Sequence, residues 1–437
     1  MGRVFSPWYA VPAMKSMLAG FVLVMLTCAC SSSESSDEAT GGSAAGGTGG
    51  EESRGNGGGD AGADVGGGGE GGAVVVDTES RTFDADDERF VYVGRFDFSD
   101  PAAPRTSAPA ATIAARFRGV GLTVHLDDPE LRNSFDVLVD DLPAIKLEPE
   151  RDSTEYPIDL ELEYGAHLVR IVKRTESTFG ISTFLGLTID GQLLDAPAPG
   201  AHTIEVIGDS ITAGAGVEAT DENSRECNTW GALNNARLSF AGVVGRMFGA
   251  DTYITASSGI GLTRNYEAAR EPTMADVYED LFLEQEDSPE WDRSDFEPDA
   301  VLVALGTNDF SLGDTLGSDT PREDMDPEVF TAAYIDFVDR LQGYYPDAEF
   351  FCVASNMLSD GWPEADDTFG TDQEEALMAV AEHYADQGMD NVHYVDVFSL
   401  SGKGCSSHPD VAQSEYTANE VADEMESVLG WDRVWEP

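Results

Sequence analysis

Short apolar runs between turn residues dominate the chain from about residue 81 to residue 189. Runs rich in Val, Phe, Leu and Ile predict strands over residues 90–98, 111–117, 122–126, 135–139, 158–162, 167–172 and 183–189. Turn signals such as Gly119-Val120-Gly121 and Asp190-Gly191 separate them. Many short strands at this spacing, without a helical stretch, predict a β-sandwich of the jelly-roll type over residues 76–195.

The pattern changes after a Pro-rich connector at residues 195–200. Apolar strands are predicted over residues 203–207, 252–256, 300–305, 349–354 and 392–397. Helical spacing predicts helices over residues 239–248, 327–341, 372–385 and 411–429. Strands that alternate with helices predict a parallel sheet covered on both faces, in an α/β domain over residues 202–437.

The start of the chain predicts export. Residues 1–30 hold a basic and then an apolar stretch with the length of a signal peptide, too short to span a bilayer. Ala29 before Cys30 predicts a lipoprotein with Cys30 lipidated; lipidation at Cys28 and ordinary cleavage are the alternatives. Residues 31–75, rich in Gly, Ser and acidic residues, predict a disordered tether. We therefore expect a lipoprotein at a bacterial cell surface or in the periplasm, anchored to the membrane only through its lipid, with secretion as the alternative.

The chain is strongly acidic. Its 437 residues include 82 Asp and Glu against 25 Lys and Arg, a formal charge of −57. This charge argues against nucleic acid, which needs clustered cations, and equally against an anionic polymer as substrate. Two interpretations of the acidity stay open: a repulsive, soluble surface and adaptation to salty water. Acidic pairs such as Asp127-Asp128 lack the ligand spacing of a calcium loop, so no metal is expected.

Four short motifs with reactive side chains follow predicted strands. They are Gly208-Asp209-Ser210, Ser257-Ser258-Gly259, Gly306-Thr307-Asn308-Asp309 and Ser407-His408-Pro409. Because the carboxyl ends of parallel strands meet at one edge of a sheet, we expect these loops to form one site. Each motif alone has an ordinary interpretation, such as a helix cap at Ser210 or a turn at Asn308. Ser210 is expected where a strand turns into a helix, with its backbone N–H available.

The order of these motifs resembles that of the SGNH hydrolases, also called GDSL esterases. The preceding β-region, together with Ser258-Gly259 and the segment at residues 172–176, narrows the resemblance to carbohydrate esterase family 2. The resemblance implies a flavodoxin-like, three-layer SGNH domain after a jelly-roll. It implies that Ser210 is the nucleophile and His408 the base.

The same resemblance assigns the remaining site residues. The backbone N–H groups of Ser210 and Gly259, with the Asn308 side chain, would form the oxyanion hole, and Asp209 and Asp309 would support it. Neither a metal nor an organic cofactor is required. The implied substrate is an acetylated polysaccharide or oligosaccharide, such as xylan or glucomannan, and we expect a monomer.

One position departs from the SGNH pattern. Cys405 stands three residues before His408, where the family usually places an Asp. We predict a Ser–His dyad with a backbone carbonyl in place of the acid, as is thought for some family 2 members. Cys352 lies in an apolar run and is expected to be a buried thiol, which leaves Cys227 and Cys405 as the expected disulfide. Ser407 replaces an aromatic residue that relatives often carry there.

The favoured function is that of an exported acetyl esterase acting on polysaccharide. A general short-chain GDSL lipolytic esterase of the same fold is the alternative among enzymes. A non-catalytic carbohydrate-binding surface protein is the alternative outside them, motivated by the missing Asp.

Overall fold

Two hydrogen-bonded sheets organise the part of the chain that this computed structural model describes, namely residues 76–229, 231–267, 270–313, 322–361 and 365–437. A nine-stranded sheet comes first along the chain and a five-stranded sheet second. The predicted leader (1–30) with Cys30, and the tether (31–75), lie outside the described residues. Within the described ranges, none of the helices is long and apolar enough to cross a membrane.

The first sheet is antiparallel. Its strands are β1 (Ser80–Asp84), β2 (Val91–Val93), β3 (Arg105–Thr106), β4 (Thr112–Asp127), β5 (Phe135–Val139), β6 (Ile145–Leu147), β7 (Glu155–Pro157), β8 (Gly165–Lys173) and β9 (Ser182–Leu193). The long strand β4 pairs with β2 and β8 along its first half, and with β7 and β9 along its second half. By changing partners it wraps the sheet around one apolar core, which includes Phe117, Val124 and Leu187. The predicted all-β region is confirmed.

The turn predicted at Gly119-Val120-Gly121 is wrong. β4 runs through these residues with a register shift between Gly119 and Leu122. A Cβ at Gly119 would lie 2.4 Å from the carbonyl oxygen of Asp190 on β9. The glycine therefore allows two strands to approach closely, and does not reverse the chain. The turn predicted at Asp190-Gly191 is wrong as well, because β9 runs through both residues.

The strand predicted at residues 158–162 is also wrong, because β7 ends at Pro157. Ile158 is buried in the core of the β-region, and Leu160 and Leu162 pack against that core from an irregular segment. The apolar spacing there indicates burial and not strand pairing. The run at residues 90–98 forms only the short β2, because Gly94 follows it with a φ of 114°.

The second sheet is parallel, in the order β11-β10-β12-β13-β14. Its strands are β10 (Thr203–Gly208), β11 (Asp251–Ala256), β12 (Ala300–Ala304), β13 (Glu349–Val353) and β14 (Val392–Val395). The helices are α1 (Phe240–Met247), α2 (Met274–Val277), α3 (Thr307–Phe310), α4 (Pro327–Tyr344), α5 (Phe369–Asp386) and α6 (Val411–Leu429). Val301 and Val303 of β12 pack with α4 and α5, whereas Ala300 and Leu302 pack with α1 and α6. Helices therefore cover both faces of the sheet, which confirms the predicted α/β class.

Buried ion pairs join the two sheets. The Arg95 guanidinium of the β-region lies 3.0 Å from the Glu205 carboxylate on β10, and both side chains are almost fully buried. Asp136 on β5 pairs with Arg174 at 2.7 Å and with Arg237 at 3.0 Å. Removing one partner of a buried pair typically costs about 3–5 kcal/mol, so these contacts fix the β-region against the parallel sheet.

Candidate active site

Ser210 and His408 meet at the carboxyl edge of the parallel sheet. Ser210 follows β10 and is 8% exposed; His408 lies between β14 and α6. The Nε2 atom of His408 lies 2.7 Å from the Oγ atom of Ser210. A histidine at this distance is placed to take the serine proton. The fold therefore brings together two residues that lie 198 positions apart in the sequence.

The other imidazole nitrogen faces a backbone carbonyl. His408 Nδ1 lies 2.8 Å from the carbonyl oxygen of Cys405. Because a carbonyl only accepts, Nδ1 carries the proton and Nε2 is left to accept the Ser210 hydroxyl. Burial lowers the pKa of His408 below its ordinary value, and the bond to Cys405 opposes that shift. Burial therefore favours the neutral form of His408, which a general base needs.

The loop before His408 is shaped by unusual backbone angles. Ser406 and Ser407 both have positive φ, of 53° and 64°, which bends the chain so that the Cys405 carbonyl faces the imidazole. The backbone N–H of Cys405 donates to the carbonyl of Gly216 at 3.2 Å. This bond ties the histidine loop to the loop that carries Ser210.

A disulfide adds a second brace to the histidine loop. Cys227 and Cys405 are bonded, with their Cα atoms 5.4 Å apart. Cys352 is a buried free thiol in the centre of the parallel sheet. On the far side of His408, the Asp410 carboxylate accepts from the N–H of Gln413 at 2.9 Å and so begins α6.

The helix expected to begin at Ser210 does not form. Residues 210–218 are turns, and the first α-helix after β10 is α1, which follows two short 3₁₀ helices. A single α-turn bond joins the N–H of Ala213 to the carbonyl of Asp209, and Gly214 and Gly216 then take positive φ. These glycines end the helical turn before it propagates, so the segment after Ser210 supplies no helix dipole.

The predicted oxyanion donors differ in whether they already have a hydrogen bond acceptor. The backbone N–H groups of Ser210 and Gly259 have no hydrogen bond acceptor within the described part of the chain. The Asn308 amide is 6% exposed and donates to the carbonyl of Ile260 at 2.7 Å and to Asp209 at 3.4 Å. The longer contact is the weaker one, so it is the one that a developing oxyanion would replace.

Asp209 and Asp309 are buried and hold the loops that carry these donors. Asp209 accepts from the N–H of Ile211 at 3.0 Å, and its burial raises its pKa to about 6. Asp309 accepts from the N–H groups of Leu262, Thr263 and Arg264 at 2.9, 2.7 and 3.1 Å. Asp309 therefore fixes the chain just after Gly259.

Two family models match this chain. "Carbohydrate esterase 2 N-terminal" matches residues 92–197, and "GDSL-like Lipase/Acylhydrolase family" matches residues 206–419. A solved structure of a family two carbohydrate esterase from Clostridium thermocellum, in complex with cellohexaose, is 30% identical with a TM-score of 0.68. The match covers 78% of this chain and 99% of that one. The chain belongs to carbohydrate esterase family 2.

Two curated relatives extend this comparison. The cellulase/esterase CelE of Acetivibrio thermocellus is 31% identical over 81% of this family 2 esterase, but the match covers only 41% of CelE. An acetylxylan esterase / glucomannan deacetylase of Cellvibrio japonicus is 25% identical, and the match covers 81% of this chain and 93% of the relative. Family membership makes the chain a serine esterase with a GDSL-type domain.

This family 2 esterase has site residues that sequence reasoning missed. Tyr266 is 44% exposed, and its N–H donates to the carbonyl of Gly259 at 2.8 Å, so an exposed aromatic residue is bonded to the residue predicted to donate to the oxyanion. Arg270 and Glu176 both bond to the backbone of Ser258. Arg270 and Tyr266 lie in irregular loops with no periodic signal. Glu176 lies in a segment that matched the family pattern without indicating its role. Among the described residues, no group of three or more His, Cys, Asp or Glu side chains is arranged to hold a metal ion.

Proposed function

We propose that this esterase removes O-acetyl groups from neutral polysaccharides or their oligosaccharides by a Ser–His mechanism. The observation that carries the proposal is the chain of contacts from Ser210 Oγ to His408 Nε2, and from Nδ1 to the Cys405 carbonyl, at 2.7 and 2.8 Å. The unpaired N–H groups of Ser210 and Gly259, within the described residues, supply an oxyanion hole beside it.

The reaction proceeds through an acetyl-enzyme. Ser210 Oγ attacks the acetyl carbonyl carbon while His408 Nε2 takes the hydroxyl proton. The carbonyl oxygen becomes an oxyanion bound by the two N–H groups and Asn308. The intermediate then collapses, the bond to the sugar oxygen breaks, and His408 returns the proton to that oxygen. Water, deprotonated by His408, hydrolyses the acetyl-serine to acetate in the same way.

The Cys405 carbonyl orients the His408 imidazole in place of the missing acid. It fixes the tautomer and the plane of the imidazole, as a triad carboxylate does. Being neutral, it stabilises the imidazolium less than a carboxylate would. Burial is the larger influence on His408 and lowers its pKa, whereas the bond to the Cys405 carbonyl raises it.

The relatives support a carbohydrate substrate. One is named an acetylxylan esterase / glucomannan deacetylase, and a related structure holds cellohexaose. The formal charge of −57 favours neutral acetylated polymers over those that carry carboxylates.

Acetate release tests this function. Wild type and Ser210→Ala should be compared on acetylated xylan, acetylated glucomannan, 4-nitrophenyl acetate and 4-nitrophenyl butyrate. We expect release from the polymers and from the acetyl ester, and its loss in Ser210→Ala. Hydrolysis of the nitrophenyl esters alone would favour the lipolytic alternative. Binding of xylan without any hydrolysis would favour the carbohydrate-binding alternative.

We further propose that the protein is exported and held at a membrane through lipid on Cys30. The support is the leader pattern at residues 1–30 and the polar tether at residues 31–75. Expressed in a bacterium, wild type should incorporate labelled fatty acid and fractionate with membranes, whereas Cys30→Ala should do neither. Cys28→Ala is the matched control and should behave as wild type. Labelling that is lost in Cys28→Ala would assign the lipid to Cys28. Wild type without any label would contradict the lipid anchor.

A further inference from the structure

We infer that Arg270 and Glu176 are positioning residues of the oxyanion hole. Arg270 binds the carbonyl oxygen of Ser258 and Glu176 binds its N–H, and together they orient the Gly259 N–H toward the reacting oxygen. The inference rests on the proposed function, because it concerns the donor that this mechanism uses. It also gives the antiparallel β-region a part in catalysis, since Glu176 comes from the connection between β8 and β9.

Arg270 fixes the peptide group that contains the donor. Its Nη1 atom donates to the carbonyl oxygen of Ser258 at 2.5 Å. That oxygen and the Gly259 N–H belong to one planar trans peptide, so they point in opposite directions. Holding the oxygen therefore directs the N–H away from Arg270. This N–H has no acceptor of its own within the described residues.

The local geometry requires glycine at position 259. Gly259 has a φ of 79°, a conformation that other residues rarely adopt. A Cβ at this position would lie 2.7 Å from Arg270 Nη1. The guanidinium thus occupies the space that any side chain at position 259 would need.

Arg270 is itself held rigidly. Its guanidinium pairs with the Glu284 carboxylate, with Nε to Oε1 at 2.9 Å and Nη2 to Oε2 at 2.5 Å. Nη2 also donates to Ser257 Oγ at 3.1 Å, and the Arg270 and Glu284 side chains are only 20% and 10% exposed. A bidentate pair of this kind fixes direction as well as distance. A cation at the carbonyl end of a peptide also polarises it, which strengthens the N–H at the other end as a donor.

Glu176 holds the preceding peptide. Its Oε2 atom accepts from the Ser258 N–H at 2.5 Å, and its Oε1 atom accepts from the Thr178 hydroxyl at 3.1 Å. The side chain is fully buried, and the Lys173 ammonium bonds to its backbone carbonyl at 3.2 Å. Ser258 is therefore anchored by the β-region at its nitrogen and by Arg270 at its oxygen.

A misdirected oxyanion donor weakens binding of the transition state more than binding of the substrate. Losing one donor outright typically costs about 100- to 1,000-fold in kcat. Because Arg270→Met keeps the Gly259 N–H but frees its direction, we expect kcat on 4-nitrophenyl acetate to fall by about 10- to 100-fold. KM should stay within about twofold, since the ground-state carbonyl makes little use of the hole.

The test compares full-length variants at equal concentrations of titrated active sites. Arg270→Lys should recover part of the kcat that Arg270→Met loses, because the lysine ammonium can still donate to the Ser258 carbonyl oxygen. Glu176→Ala should lower kcat, while Glu176→Gln, whose amide oxygen still accepts from Ser258, should recover part of that loss. Arg340→Met is the matched control, since Arg340 also pairs with a glutamate and donates to a backbone carbonyl, at Ala275. It should leave kcat unchanged.

A boronic acid inhibitor separates positioning from a general loss of structure. Bound to Ser210, it places a negative oxygen in the hole, so its inhibition constant should rise in Arg270→Met by the same factor as kcat falls. Wild-type kcat and inhibition in Arg270→Met, with activity lost in Ser210→Ala, would overturn the inference and leave the proposed function intact. Full activity in Ser210→Ala would overturn both.

Discussion

In the proposed mechanism a single histidine carries the acid–base chemistry of this site, and its surroundings set the pH at which it works. Burial lowers the pKa of His408, and its Nδ1 proton is directed to the neutral carbonyl of Cys405. Burial thereby favours the neutral imidazole, and the carbonyl orients it toward Ser210. Two measurements test this arrangement: the pH profile of the enzyme and the effect of substituting Cys405.

The acid limb of the pH profile should lie below the ordinary pKa of histidine. His408 must be neutral to accept the serine proton, and a lowered pKa keeps it neutral to lower pH. We expect kcat/KM on 4-nitrophenyl acetate to fall with decreasing pH around a midpoint below about 6.5. A midpoint above that value would mean that a carboxylate supports the imidazolium.

Introducing the missing acid gives the complementary test. Cys405→Asp should retain or raise kcat, and it should move the acid limb upward, because a carboxylate near His408 favours the imidazolium. The variant also loses the disulfide, so Cys227→Ser is the control that breaks the bond and keeps Cys405. A large loss in Cys405→Asp, with Cys227→Ser near wild type, would give residue 405 a role that the dyad does not provide.

The exposed side chain of Tyr266 should matter for polymers and not for small esters. Tyr266 is exposed and bonded through its backbone to Gly259. Aromatic rings offer an apolar face on which a sugar can pack. We expect Tyr266→Ala to raise KM for acetylated xylan several-fold and to leave kcat/KM for 4-nitrophenyl acetate unchanged. Tyr416→Ala, an exposed tyrosine on α6, is the control. Equal KM values in all three proteins would exclude the ring from substrate binding.

At the scale of the elements, the parallel sheet was the more predictable half. β12 is a continuous apolar run and β13 is apolar after its first residue, which is the pattern of buried parallel strands. The β-region was harder, because glycine allows a close strand approach within β4 at Gly119 but follows the end of β2 at Gly94. Ile158 shows a second ambiguity, since an irregular segment can bury its apolar side chains as a strand does.

The edge where the reactive loops gather was predictable because parallel strands end together. The backbone conformation of the loops themselves was not predictable. The glycines at 214 and 216 end the turn after Ser210, and only the fold shows that their positive φ values exclude a helix there. The contacts of Arg270 and Glu176 with Ser258 also depend on tertiary structure, because Glu176 lies 82 residues away.

The short helix α3 should stabilise the loop after Gly259 through Asp309. This carboxylate accepts three backbone N–H groups and the Thr263 hydroxyl, at 2.7 Å. Asp309→Asn replaces one accepting oxygen with a donor, so we expect the free energy of unfolding to fall by about 1–3 kcal/mol. Urea unfolding measures it, with Asp292→Asn as an exposed control. Equal losses in the two variants would contradict the role of Asp309.

At the scale of the whole molecule, the charge of −57 is the dominant feature. Like charges repel each other more in the compact state than in the unfolded chain, and salt screens that repulsion. Buried pairs such as Arg95–Glu205 are screened much less, so their contribution persists. The two interpretations of the acidity therefore differ in how stability responds to salt.

We expect the thermal midpoint to rise as sodium chloride is raised from low to molar concentration, which is the response of a salt-adapted surface. Sucrose at matched osmolality is the control for effects other than screening. A thermal midpoint that stays flat or falls with salt would count against adaptation to salty water. The acidity would then be interpreted as a repulsive surface that keeps the protein soluble.

The central claim is that Ser210 and His408 act as one catalytic unit, and a double-mutant comparison tests it most directly. The kcat/KM of Ser210→Ala, His408→Ala and the double variant should be measured on 4-nitrophenyl acetate. Residues that act together are strongly non-additive, so each single change should lower kcat/KM by at least about 1,000-fold and the double change should lower it no further. Substantial activity in either single variant, or losses that multiply in the double variant, would contradict the account.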